Sequence, residues 1–218
     1  MNNRPDAYVE AVKIAAALGG QWKAVKPASD FACDSEWRAY LVEGDAPDAL
    51  RLFVNSSWQK NGRIGISMTY VTSKVGGRQI NANDALPYDQ RNSAPDVTVD
   101  PKRPADVLAR DINRRVILLA RPIWQLMLDH RDQMAKDVAD SNDVEARLAA
   151  AWGAKLNPHT DRSGTSRSLY AYSLPGSVSA DIRVNSSSSV EVKLSGLSPE
   201  LAERLGRIVL EAVGKKSG

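Results

Sequence analysis

The tetrapeptide VNSS occupies Val54–Ser57 and returns at Val184–Ser187, 130 residues later; AAALGG at Ala15–Gly20 returns as AAAWGA at Ala149–Ala154, 134 residues later. Two collinear echoes at nearly one spacing constrain the chain more than any single motif, because a text written twice folds as two related units. A third correspondence is one of type. VTVDPKRPADVLARDINRRVILL (97–119) and VEVKLSGLSPELAERLGRIVLEA (190–212) each read as strand, turn, proline at a helix start and an arginine-bearing amphipathic helix. The bland alternative is two unrelated α+β pieces sharing a bias towards Ala and Ser.

Periodicity fills in the elements. Pro5 and Asp6 suit a first helical turn, and Tyr8, Ala11, Val12, Ala15 and Leu18 recur at helical spacing until Gly19 and Gly20 end the helix. Period-two alternation follows in Trp37, Ala39, Leu41; in Leu50, Leu52, Val54; and in Ile64, Ile66, Met68, Tyr70. It describes antiparallel strands with one packed and one wet face. After Asp100 the period becomes helical, with a seam at Leu108, Ile112, Val116, Leu119, Ile123 and Leu126, and Pro122 should kink or break it. Asn142 and Glu145 then read as a capping box before a fresh helix with Val144, Leu148, Ala151 and Trp152 on its apolar stripe. Strands at Tyr170 and Tyr172, at Val178–Val184 and at Val190–Leu194, a turn at Ser186–Ser189 and a helix from Pro199 complete the chain.

The expected fold is therefore α+β: two similar lobes, each helix, antiparallel strands, helix, produced by internal duplication and joined by a long kinked helical segment. The first lobe spans 1–103, with its closing helix from 104, the connecting helices span 104–140, and the second, shorter lobe spans 141–218. The first copy carries an extra hairpin or long loop over roughly 71–96.

Several chemistries are excluded by composition. Two histidines and one cysteine permit neither a zinc finger nor an HExxH helix. Asp129-His130-Arg131-Asp132 is a poor metal site, since adjacent helical residues point apart and Arg131 opposes a cation. His159, Asp161 and Ser163 lack the strand–turn–helix elbow of a nucleophilic triad and read as a loop. The glycine pairs of LGGQWK and KVGGRQ are a helix stop and a hairpin turn, without a phosphate-loop pattern around them. Asp30, Asp34, Glu36 and Glu43 are solvated carboxylates before they are an acid–base pair. No catalytic residue, metal or cofactor is expected. The lone Cys33 points to a fold held by packing, as in intracellular proteins. With no apolar run near the ~18 residues of a membrane span and no basic, apolar leader in MNNRPDAYVE, the expected location is cytoplasmic.

Charge is informative where it collects. The net charge is only +3, yet Lys102, Arg103, Arg110, Arg114, Arg115 and Arg121 face just Asp106 and Asp111 within 102–121. Arg110, Arg114 and Arg121 share a helical face, a row able to neutralise phosphates, and Trp37 and Trp58 stand near cations as stacking contacts. The same residues also read as a self-paired helix face and as core aromatics. Trp124, Met127 and Met134 offer a protein-binding anchor or, again, core.

The strings AAALGGQW (15–22), GRIGISMTY (62–70), PADVLARDINRR (104–115) and RLAAAWG (147–153) resemble a loosely defined group of bacteriophage and mobile-element hypothetical proteins. The resemblance implies context and carries no catalytic residues. Taken with the lack of catalytic motifs, that context suggests a non-catalytic binding protein, such as an anti-CRISPR-like host-defence antagonist, whose partner is a host protein or nucleoprotein complex. Direct nucleic-acid binding through 102–121 is the alternative, and an enzyme of unfamiliar site geometry the third. The binding residues expected are Arg103, Arg110, Arg114, Arg115, Arg121, Trp37 and Trp58.

Overall fold

A computed structural model describes residues 5–28, 37–56, 62–152, 159–160, 167–174 and 178–214. The chain divides into two compact units, Met1–Met134 and Ala135–Gly218. The architecture is α+β, with an antiparallel sheet in each unit. Among the described residues no helix is long and apolar enough to cross a membrane.

Unit 1 opens with α1 (Ala7–Leu18). The Asp6 carboxylate caps it by accepting from the amides of Tyr8 and Val9 at 2.8 and 3.0 Å, and Gly19 ends it at φ 70°, a conformation open to glycine at little cost. The buried face is Ala7, Glu10, Ala11, Ile14 and Ala15, whereas the expected Val12 is exposed. Small residues win the inner face because they let the helix lie close to its neighbours. Five strands follow: β1 (Trp22–Val25), β2 (Arg38–Glu43), β3 (Arg51–Asn55), β4 (Ile64–Met68) and β5 (Asp96–Val99), paired in sequence order. Their alternation places Ala39, Leu41, Leu52, Val54, Ile64, Ile66, Val97 and Val99 on one face, all buried in the core. Between β4 and β5 the chain makes the excursion expected near 71–96, with a turn at Gly76-Gly77 closed by the Val75–Arg78 bridge and a single helical turn α2 (Ala82–Ala85).

The core is closed by α3 (Ala105–Ile112), a π-helical segment Asn113–Ile117 and α4 (Leu118–Trp152). The helix does not end at Pro122, where a kink or break was expected; Pro122 stands inside α4. Proline lacks an amide and its ring crowds the carbonyl four residues back. A wider turn precedes Pro122: the Leu118 amide donates to the Asn113 carbonyl, five residues away. One residue is thereby inserted into the helical phase. The seam runs Leu108, Ile112, Val116 as expected, then shifts by one to Ile117, Ala120, Trp124 and Met127. Leu119 and Leu126, expected inside, are 55% and 46% exposed. The segment 105–134, which begins where the closing helix of the first lobe was expected, packs as the closing layer of unit 1. The capping box expected at Asn142 and Glu145 is absent as well, since both lie within the unbroken α4.

In unit 2, α4 is followed by β6 (His159–Thr160), β7 (Arg167–Leu174), β8 (Val178–Ser186), β9 (Ser189–Ser195) and α5 (Pro199–Gly214), the sheet again in sequence order. His159, expected in a loop, is in a strand. The turn at Ser186–Ser189 joins β8 to β9 as expected. Val178, Ala180, Ile182 and Val184 are buried on β8.

Candidate functional site

The expected arginine row is largely occupied by its own protein. Asp111 receives Arg103 at 3.2 Å, Arg114 at 3.5 Å and Arg115 at 4.0 Å. Arg110 pairs with Asp106 at 3.0 Å, and Arg121 reaches Glu43 of β2 at 2.5 Å. Nor do these side chains form one face. Arg110 and Arg121 line a cleft of about 560 Å³ beside Gly20 and Trp22, while Arg114 and Arg115 line another of about 520 Å³ beside Asn92 and Ser93. The arginines predicted as a stripe are split between two clefts.

Of the predicted aromatics, Trp37 is 42% exposed at the start of β2, where its carbonyl accepts the Ser56 amide at 2.9 Å. Trp58 lies outside the described residues, as do Cys33, Asp30, Asp34 and Glu36. Trp124 and Met127 are buried and therefore serve the core; the Trp124 indole donates to the Asp48 carbonyl at 3.0 Å. Arg131, considered beside a metal, instead pairs with Asp48 and Asp132. Among the described residues no cluster of His, Cys, Asp or Glu is arranged to hold a metal ion.

A larger cleft, about 900 Å³, lies on the other face of the first sheet. Strand alternation builds it. While Ala39, Leu41, Leu52 and Val54 turn inward, the intervening residues of β2 and β3 share the opposite face: Arg38 and Tyr40 on one strand, Arg51 and Phe53 on its neighbour. Tyr40 and Phe53 sit opposite each other in register, their rings 5.7 Å apart and tilted by 47°. The Arg51 guanidinium lies 5.1 Å from the centre of the Tyr40 ring. The excursion after β4 supplies a wall of amides and hydroxyls from Thr72, Gln79, Asn81 and Asn83. That wall is held in shape by Asn81 capping α2, by the Asn83 amide group donating to Asn92 at 3.1 Å, and by the Asn92 amide returning to Asn83 at 2.8 Å.

The electrostatics of this cleft are one-sided. Among the described residues no carboxylate lines it, whereas Arg38 and Arg51 both do. The Arg51 Nε is buried and without a hydrogen-bond partner, a donor whose desolvation is uncompensated within the protein. Burial pushes the Tyr40 phenol up to about 12, reinforced by its hydrogen bond with Tyr70. Tyr40 is therefore a neutral donor and stacking surface across the physiological range. The described residues present cations, two aromatic rings and amide groups.

Sequence reasoning missed this face because alternation was read for its apolar half. RAYLVE and RLFVN carry the second half in plain view: Arg-x-Tyr beside Arg-x-Phe. Comparison of the chain with protein-family models, with curated proteins and with solved structures finds no match.

Proposed function

We propose that the protein acts by binding, without catalysis, and that unit 1 takes single-stranded nucleic acid on the outer face of its sheet. The observation that carries this reading is the Tyr40–Phe53 pair flanked by Arg38 and Arg51 on a face where no described residue is a carboxylate. Unpaired bases expose faces that stack on aromatic rings and edges that amides read, while their phosphates need cations. Every one of those groups is present in the cleft. The helix row at 103–121 is the weaker candidate, since each of its arginines already has a carboxylate within 4.0 Å.

The expectation of a phage or mobile-element protein that antagonises a host nucleoprotein complex fits within this proposal, because such a complex would be engaged through an exposed strand. Internal duplication is part of the same reading. In both sheets VNSS begins in the third strand, and in both units the helix after the last strand starts at a proline, Pro104 or Pro199. An experimental structure in which the two VNSS segments took different places in their sheets would end that part of it.

The test is fluorescence anisotropy with labelled single-stranded DNA, single-stranded RNA and duplex DNA over a range of salt. R38Q/R51Q should weaken single-strand binding by about tenfold or more and flatten its salt dependence, by about 0.7 in log–log slope for each phosphate no longer neutralised. R114Q/R115Q should leave it nearly unchanged. Absence of single-strand binding at low salt, or a larger effect from the helix substitutions, overturns the proposal.

A further inference from the structure

The free edge of the second sheet is unlike the other sheet edges of this protein. β1 and β5 bound the first sheet with four residues each and β6 bounds the second with two, in keeping with the short edges that discourage strand addition. β9 has seven residues, contains no proline, and pairs only with β8 among the described residues. Six of its seven residues are exposed, including Val190 at 38% and Val192 at 40%. Its sequence, SVEVKLS, has a symmetry that shows only when the strand is laid antiparallel to itself.

We propose that β9 is a homodimer interface, pairing antiparallel with β9 of a second copy about a two-fold axis through Val192. In that register Glu191 of each copy lies opposite Lys193 of the other, Val190 opposite Leu194, and Ser189 opposite Ser195. Like meets like in polarity, and opposite meets opposite in charge. Directly opposed residues of antiparallel strands share a face, so the pattern can be followed inward. Within one copy β8 sets Asp181 opposite Lys193 and Arg183 opposite Glu191. Across the seam the row therefore reads Asp181, Lys193, then Glu191 and Arg183 of the second copy: four charges alternating in sign. The opposite face carries Ile182 beside Val192 and Val184 beside Val190, extending the apolar row across the junction. The Lys193–Glu191 contact of 3.3 Å within the single strand is the local stand-in for the pairs made between copies.

A second uncovered surface lies close in sequence. α5 begins at Pro199, a few residues after β9, and leaves Leu201, Ile208 and Val209 exposed. Joining the edges yields an eight-stranded sheet with a two-fold axis, the symmetry that closes an assembly at two copies. A heterologous strand would satisfy the edge amides but would not answer Glu191 and Lys193 in this self-complementary order.

The experiment is the molar mass of the full chain by light scattering and sedimentation, from about 1 to about 200 µM, the range in which a modest interface declares itself. Twice the 23.7 kDa chain mass is expected as concentration rises. E191K sets lysine against lysine at both ends of the seam, and K193E sets glutamate against glutamate; each should raise the dimer dissociation constant about tenfold or more. The double swap E191K/K193E restores opposite charges and should restore the dimer. V192K, which brings two cations together on the axis, should abolish it. These side chains are exposed, so unchanged circular dichroism separates loss of pairing from loss of fold. A chain monomeric throughout, single swaps that dimerise like the parent, or a dimer abolished only by I208K would overturn the proposal.

Discussion

Replacing Asp48 by asparagine tests how unit 1 is tied together. Asp48 lies between β2 and β3 and joins segments distant in sequence: its carboxylate accepts the Ser73 hydroxyl at 2.6 Å and the Arg131 guanidinium, and its carbonyl accepts the Trp124 indole at 3.0 Å. The side chains of Asp48 and Arg131 are only 23% and 17% exposed. Hydrogen bonds to a charged group contribute roughly 1.5–3 kcal/mol when well buried. Asparagine keeps the carbonyl contact and can keep the Ser73 hydroxyl, and the remaining wetness screens the ion pair, so D48N should cost about 1–2 kcal/mol at pH 7. That corresponds to a fall of about 3–8 °C in Tm for a unit of this size.

The pH dependence is the sharper part. Burial alone would raise the Asp48 pKa, but the Ser73 hydrogen bonds and the Arg131 charge outweigh it and hold the carboxyl below its usual range. A depressed folded pKa stabilises fully above the unfolded value, about 3.9, and the stabilisation disappears as pH falls through the folded value. Urea unfolding followed by tryptophan fluorescence should therefore give a gap between parent and D48N that is constant from pH 7 to about 5 and closes towards pH 3 and below. Equal stability at pH 7, or a gap that persists in acid, refutes the reasoning. Ser73 adjoins Thr72 in the cleft wall, so D48N should also loosen ligand binding there.

Tyr40 gives a signature at the opposite end of the scale. Its raised folded pKa of about 12 means that its contribution is intact below about 10, the unfolded value, and disappears as pH rises to 12. Ultraviolet titration should show one tyrosine ionising late, and Y40F should remove that phase; a parent protein without it would contradict the burial of this ring. The shifted helical seam is tested by a pair of neighbours. M127A should cost about 2–5 kcal/mol, because Met127 is fully buried, whereas L126A should cost about 0.5 kcal/mol or less. Equal costs, or the reverse order, would return the seam to the uninterrupted period.

Much of the fold was legible because it rests on local chemistry. The helix stop at Gly19, the Gly76-Gly77 turn and the alternation of β2, β3 and β4 each concern residues a few positions apart, and each forms as read; Asp6, expected in the first helical turn, instead caps the helix from just outside it. The site was legible only in part. Arg38, Tyr40, Arg51 and Phe53 lie in recognised strands, but their meeting requires the β2–β3 register, which no single strand encodes.

The sequence by itself determined most of the helices and strands, which faces of β2, β3 and β4 are apolar, and where positive charge collects. Tertiary structure decided what those residues do. Proline is a local conflict inside a helix, yet the helix runs on through Pro122 after a wider turn, and Trp124 and Met127 beyond it are buried in the core. The wider turn moves the seam by one residue. Glu43, 78 residues before Arg121, neutralises one member of the arginine row. Backbone preference acts over one turn or one strand, but a charge is free or paired according to what the completed fold brings within a few ångströms of it.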